Sequence, residues 1–182
     1  MKRFVDMNQP IAASIIALWL ALLPCAAAAG IPAAYSPVVV QPVGAPARYE
    51  FDLTAALDRA KRENKRLYVY LGASDCPYCR KYEAFLEQNA SALAPHFSPQ
   101  YIVVDLRSAL SATANKLFIR IAERSLPYAD FQRAIGDERA RMLVYPSVWL
   151  LGTDAKPLMQ MPAGTGTFQT VPEQLEILRL EQ

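Results

Sequence analysis

Two cysteines stand three positions apart where a strand hands over to a helix, and this junction constrains the chain more than any other part of it. Leu67-Tyr-Val-Tyr-Leu71 is a short β-branched and aromatic run, the pattern of a buried strand. Gly72-Ala-Ser-Asp75 reads as a loop. Cys76-Pro77-Tyr78-Cys79 then opens a helix, with Pro77 near its first position, where a missing N–H is harmless. Tyr78, Tyr82, Phe85, Leu86 and Asn89 lie along one side of it, and Tyr101-Ile-Val-Val-Asp-Leu106 is the next strand. A strand–helix–strand order predicts two parallel strands joined by a right-handed crossover.

The position of the cysteines has a chemical consequence. Free N–H groups and the dipole at a helix start stabilise a thiolate. Arg80 and Lys81 add positive charge nearby, and Asp75 opposes it. Cys76 is therefore expected to be the exposed nucleophile, with Cys79 one turn deeper as the resolving thiol. Residues at i and i+3 of a helix approach closely enough for a Cys76–Cys79 disulfide to form and break with little backbone movement. A purely structural disulfide is the weaker reading, because closing so short a loop stabilises by about 2 kcal/mol or less on chain entropy. Metal binding by the two thiols with His96 or a methionine is a further alternative, with His96 expected in the loop after the helix.

Composition narrows the rest. Among 182 residues, 19 Lys+Arg face 17 Asp+Glu for a formal net charge of +2, which offers no basic stripe for nucleic acid. Apolar residues at 53% are too many for a disordered chain. Three cysteines and one histidine would all be consumed by a single structural zinc site, and they are too few for a disulfide scaffold. No cofactor or resident metal is expected.

Residues 1–29 read as a secretory signal. Lys2 and Arg3 precede the uncharged run from Ile11 to Leu23, Pro24 breaks it, and Ala26–Ala29 offer small-residue cleavage sites. The run falls short of the roughly 20 apolar residues of a membrane span. Cys25 after Leu22-Leu-Pro24 raises one alternative, a lipidated terminus, and an uncleaved anchor is another. The expected location is periplasmic or secreted, with no membrane span after cleavage. Residues 30–50, with Pro32, Pro37, Pro42 and Pro46, read as a Pro-rich linker or N-terminal arm without a core of its own.

Residues 51–182 read as one domain. Leu53, Ala56, Leu57 and Ala60 form a helical stripe, ending in the charged run Lys61–Arg66. Leu110, Ala114, Leu117 and Ile121 suggest another helix, broken by Pro127, and Phe131 to about Leu143 gives shorter helical pieces. Ser147-Val-Trp-Leu-Leu151 and Pro157–Met161 form a hairpin, with Trp149 in the core. Thr170-x-x-Glu173 is a capping box before Val171, Leu175 and Leu178. The fold class is α/β, a central mixed sheet with helices on both faces.

From about Phe51 onward the chain resembles the thioredoxin superfamily. The resemblance is carried by Cys76-Pro-Tyr-Cys79 after a strand and by Tyr145-Pro146-Ser147 opening a later strand. It implies a thioredoxin-like fold, here with an extended helical segment before the proline. It also implies a cis bond at Pro146 beside the cysteines, and a substrate groove formed by Pro77, Tyr78 and Tyr145. Thioredoxins carry a buried Asp six residues before the first cysteine; here that position is Tyr70, so help from that carboxylate to the deep thiol is expected to be lost. The expected activity is thiol–disulfide exchange with protein substrates, the reductase direction slightly favoured, and the expected partners are protein thiols and a membrane electron donor or acceptor. Copper handling or assembly work through the same thiols is the alternative.

Overall fold

The computed structural model describes residues 30–134, 142–160 and 169–179. The expected signal, residues 1–29 with Cys25, lies outside them. So do residues 135–141 of the helical pieces expected up to Leu143.

Leu67–Leu71 does form a strand, but a longer one. β3 (Arg66–Ala73) takes in Gly72 and Ala73, which the sequence suggested as loop. It runs parallel to β4 (Tyr101–Ser108) in unbroken register from Arg66↔Tyr101 to Ala73↔Ser108. Its other edge pairs antiparallel with β7 (Ser147–Leu151), which pairs in turn with β8 (Pro157–Gln160). On the far side of β4, β1 (Val38–Val40) adds in parallel. The resulting mixed sheet has the order β1-β4-β3-β7-β8.

β1 corrects the reading of the proline-rich segment as an arm without a core. Its prolines break helix but leave Val38-Val39-Val40 free to extend along the edge of β4. Ile31 and Tyr35, just upstream, are buried. The Tyr35 hydroxyl donates to the Leu86 carbonyl at 2.9 Å, and its ring meets Phe97 edge-on at 5.0 Å.

Successive side chains of β3 alternate between two cores. Leu67, Val69 and Leu71 face a cluster with Phe51, Leu53, Leu57, Phe131 and Trp149. Tyr68 and Tyr70 face the other, with Tyr82, Leu86, Leu93, Phe97 and Leu178. α1 (Thr54–Glu63) covers the first face through Ala56, Leu57 and Ala60. It starts where Asp52 Oδ1 accepts the Thr54 N–H at 2.8 Å and stops at Asn64, whose left-handed φ of 49° closes the last turn onto Ala60. α2 (Pro77–Gln88), α3 (Ala90–Phe97) and α5 (Val171–Arg179) belong to the second face, and α5 begins at the expected capping box of Thr170 and Glu173. His96 lies within α3 and not in a loop. Tyr78 leaves the buried side of α2: it is 57% exposed, while Tyr82 and Leu86 turn inward.

The largest departure follows β4. The stripe from Leu110 to Ile121 does not make a helix, so the expected helical extension before Pro146 is largely replaced. A short 3-10 turn at Ala114–Lys116 leads into β5 (Leu117–Ile121), which returns antiparallel as β6 (Arg124–Pro127). β2 (Tyr49–Asp52) runs parallel to β5, giving a second sheet of order β2-β5-β6. The reason is burial of alternate residues: Leu117 and Ile119 enter the first core while Phe118 and Arg120 turn away. Arg120 and Arg48 both pair with Glu50 on this sheet, and Arg48 lies over the Phe118 ring at 3.4 Å. Among the described residues of this stretch the α-helix is α4 (Tyr128–Ala134), directly after Pro127. Among the described residues no helix is long and apolar enough to cross a membrane.

Candidate active site

The end of β3 delivers the chain to the cysteines through a tight turn. The Cys76 N–H donates to the Ala73 carbonyl at 3.1 Å, and the Ser74 N–H to Ser108 O at 3.1 Å, so the turn is tied to both central strands. Cys76, in extended conformation, is the N-cap of α2 with Pro77 next to it. Its sulfur accepts the Cys79 N–H at 3.1 Å, taking the place that a Ser or Asp oxygen usually holds. The helix start therefore directs a backbone donor at Cys76 Sγ.

Cys79 sits deeper, with its sulfur accepting the Ala73 N–H at 3.5 Å. Both cysteines are free thiols. Exposure separates them little: Cys76 keeps 2% of its surface and Cys79 none, so the expected exposed nucleophile is nearly covered. Tyr145 packs against the small cluster of Ala73, Cys76 and Cys79. Burial, followed by the hydrogen bond with Cys76, pushes the Cys79 thiol up to about 12.

The surroundings fix the loops on either side. Asp75 Oδ1 accepts the Leu110 N–H at 2.8 Å, which ties the active-site turn to the loop leaving β4. The Arg80 guanidinium donates to Ser74 O at 2.9 Å. The Tyr145–Pro146 bond is cis, as is Ala45–Pro46. Tyr145 shares a hydrogen bond of 2.9 Å with Ser108 Oγ, and Ser147 Oγ donates to Val144 O at 2.6 Å. Pro146 thus follows a tyrosine that touches both the end of β4 and the thiol cluster. Of the expected groove residues, Pro77 and Tyr78 are exposed between the two cysteines in the chain, and Tyr145 is partly buried against the thiol cluster.

Two residues escaped the sequence reading. Glu83 on α2 is only 9% exposed, and it accepts the Tyr70 hydroxyl at 2.9 Å. Tyr70 occupies the position where a carboxylate was expected and missed, and it reaches a carboxylate all the same. Asp105, fully buried on β4, is the register partner of Tyr70; it takes the Ile31 N–H at 2.8 Å and Arg107 at 2.7 Å. An acid one helical turn beyond Cys79, on the side of Tyr82 and Leu86, was the available signal for Glu83.

A sheet flanked by helices, with a Cys-x-x-Cys pair capping the helix after its central strand, defines a thioredoxin-like protein. Residues 53–176 match the family model of the thioredoxin-like domain, and the chain belongs to that family. A comparison with curated proteins gives no match. Among solved structures the chain is similar to the exposed lipoprotein thioredoxin Etrx1 of Streptococcus pneumoniae, at 14% identity and a TM-score of 0.38, over 66% of this chain and 88% of that one.

Proposed function

We propose that the protein exchanges thiols and disulfides with protein substrates through Cys76 and Cys79. The observation that carries this reading is the capping of α2 by Cys76: a sulfur that accepts the Cys79 amide at 3.1 Å is one whose thiolate the helix start stabilises. Cys76 attacks one sulfur of a substrate disulfide, the substrate S–S bond breaks, its other sulfur leaves as a thiolate, and a mixed disulfide to Cys76 remains. Cys79 then attacks Cys76, the Cys76–Cys79 bond forms, and the substrate leaves as a thiolate. Tyr78 and Tyr145, with Pro77 and Pro146, form the surface against which the substrate segment lies.

Reduction of insulin disulfides by the dithiol form tests this reading. Wild type should turn over, and Cys76→Ser should not. The reductase direction rests on resemblance, and the Cys76–Cys79 potential tests it: about −270 mV marks a reductant and about −120 mV an oxidant. Copper handling through the same thiols competes with this reading, and copper titration of the reduced protein separates the two.

The charged start, apolar run and alanine sites of residues 1–29 support export, with a mature chain beginning near Gly30 and a periplasmic or secreted location. There it would exchange electrons with a membrane donor or acceptor. N-terminal sequencing of exported protein should read from about Gly30; a lipid-bearing Cys25 would overturn the cleavage site.

A further inference from the structure

Gly30, the first described residue, is buried. Its φ is 130°, and a Cβ on it would lie 1.8 Å from Arg107 Cζ, so its main chain lies against the Arg107 guanidinium and only glycine fits. The next residue, Ile31, donates its N–H to Asp105 Oδ2 at 2.8 Å. Arg107 pairs with that same oxygen at 2.7 Å. Asp105 is fully buried, and among the described residues its other oxygen, Oδ1, has no hydrogen-bond partner. One oxygen thus carries both donors and the other carries none. A buried carboxylate oxygen without a donor is costly, so the fold leaves a place for one more.

The main chain brings a candidate to that place. Successive main-chain nitrogens stand at most about 3.7 Å apart, which puts the Gly30 nitrogen within about 6.5 Å of Asp105 Oδ2. As an amide that nitrogen has one hydrogen, fixed by the peptide plane. Hydrolysis of the Ala29–Gly30 bond leaves a carboxylate on Ala29 and an amine on Gly30, which takes up a proton near neutral pH. The resulting ammonium has three donors and turns about single bonds.

We propose that Asp105 is a built-in receptor for the α-ammonium group that signal cleavage creates on Gly30. The inference rests on the export reading above, with the cut placed after Ala29. The ammonium donates to Oδ1 while the Ile31 N–H holds Oδ2, so two successive main-chain nitrogens enclose one carboxylate. Arg107 on β4 is the cation that opposes a second positive charge here, and Glu83 on α2 adds a negative charge within electrostatic reach of Asp105. With the Gly30 amide intact, burial holds the Asp105 carboxyl up at about 6. An ammonium beside it draws that value down, and the carboxylate in turn raises the amine. Cleavage therefore completes the joint between the start of the mature chain and the interior of β4.

The test compares the exported, processed protein with the same protein acetylated at its α-amino group while unfolded and then refolded. Acetylation should raise the unfolding equilibrium constant about 10- to 100-fold at pH 7, the worth of a hydrogen bond between charged groups. In Asp105→Asn, which keeps the side chain's size, acetylation should change that constant by about twofold or less. The comparison needs no substitution to show the main effect, so it stands even if Asp105→Asn fails to fold. Because the folded amine is raised, its advantage is fully present at pH 7 and is lost as pH rises through the raised value. Equal stability of the free and acetylated proteins, an equal loss in Asp105→Asn, or a difference that stays constant from pH 7 to about 10 would overturn the receptor. N-terminal sequencing keeps the two readings apart. A first residue other than Gly30 removes the cleavage on which the ammonium depends, whereas a Gly30 terminus whose acetylation changes nothing removes the Asp105 site alone.

Discussion

The backbone N–H of Ile31 donates to the carboxylate of Asp105 at 2.8 Å, joining the first described turn of the chain to the interior of β4. Asp105 is fully buried, and burial pushes its carboxyl up to about 6 from 3.8, against the opposing pull of Ile31 and Arg107. As pH falls, the native state therefore takes up this proton before the unfolded chain does. The stabilisation from the neutral form is fully present below about 4, and it is lost as pH rises through about 6. Asp105→Asn mimics the neutral carboxyl at every pH. Urea midpoints taken across this range should show the stability of wild type relative to Asp105→Asn falling as pH rises. A constant difference between pH 4 and pH 7 would show that the carboxyl titrates normally.

The segment carrying Ile31 should behave as core. Tyr35→Ala removes a buried ring and the hydroxyl donated to Leu86, and it should cost about 3 kcal/mol or more. Tyr35→Phe keeps the ring and should cost about 1 kcal/mol. Chemical denaturation measures both. An unmoved midpoint for Tyr35→Ala would return this segment to the status of a loose arm.

The two thiols should differ in chemistry although they hardly differ in exposure. In native reduced protein, alkylation followed by peptide mapping should mark Cys76 first. Cys79 should react at a useful rate only after unfolding, since its thiol is held up near 12. Cys79→Ser should accumulate mixed disulfides through Cys76, because nothing remains to resolve them. Cys76→Ser should accumulate none. Early labelling of Cys79 would reverse the assignment.

The second sheet makes a separate prediction. Ile119 is fully buried on β5, whereas Leu110 is 48% exposed in the loop. Ile119→Ala should lose about 2–5 kcal/mol, and Leu110→Ala about 0.5 or less. A helix carrying Leu110, Ala114, Leu117 and Ile121 on one face would make Leu110 costly and Ile119 nearly free, so the pair of measurements discriminates between the two structures.

What could be read from local pattern, and why, is clear around the cysteines. Leu67–Leu71 is a dense β-branched and aromatic run, Pro77 belongs at a helix start, and Thr170 with Glu173 caps a helix within four residues. Each signal is complete within a few positions, and each element formed where it pointed. The stretch from Leu110 to Ile121 failed because its apolar spacing suits a helix, while its actual partner, β2, lies far back in the chain. Leu117 pairs with Tyr49 and Ile119 with Phe51, contacts that no window around residue 115 contains. The proline-rich segment failed for the same reason, since only the open edge of β4 makes a strand of Val38–Val40.

Local pattern was thus enough for the strand–turn–helix that presents Cys76 and Cys79, and for sheet-and-helix layering as a class. Tertiary packing alone chose the companions of the thiols. Parallel pairing sets Tyr70 beside Asp105, and docking of α2 brings Glu83 onto the Tyr70 hydroxyl. A buried polar group must find a partner wherever the folded chain supplies one, and that partner is selected by strand register and helix placement, not by distance along the sequence.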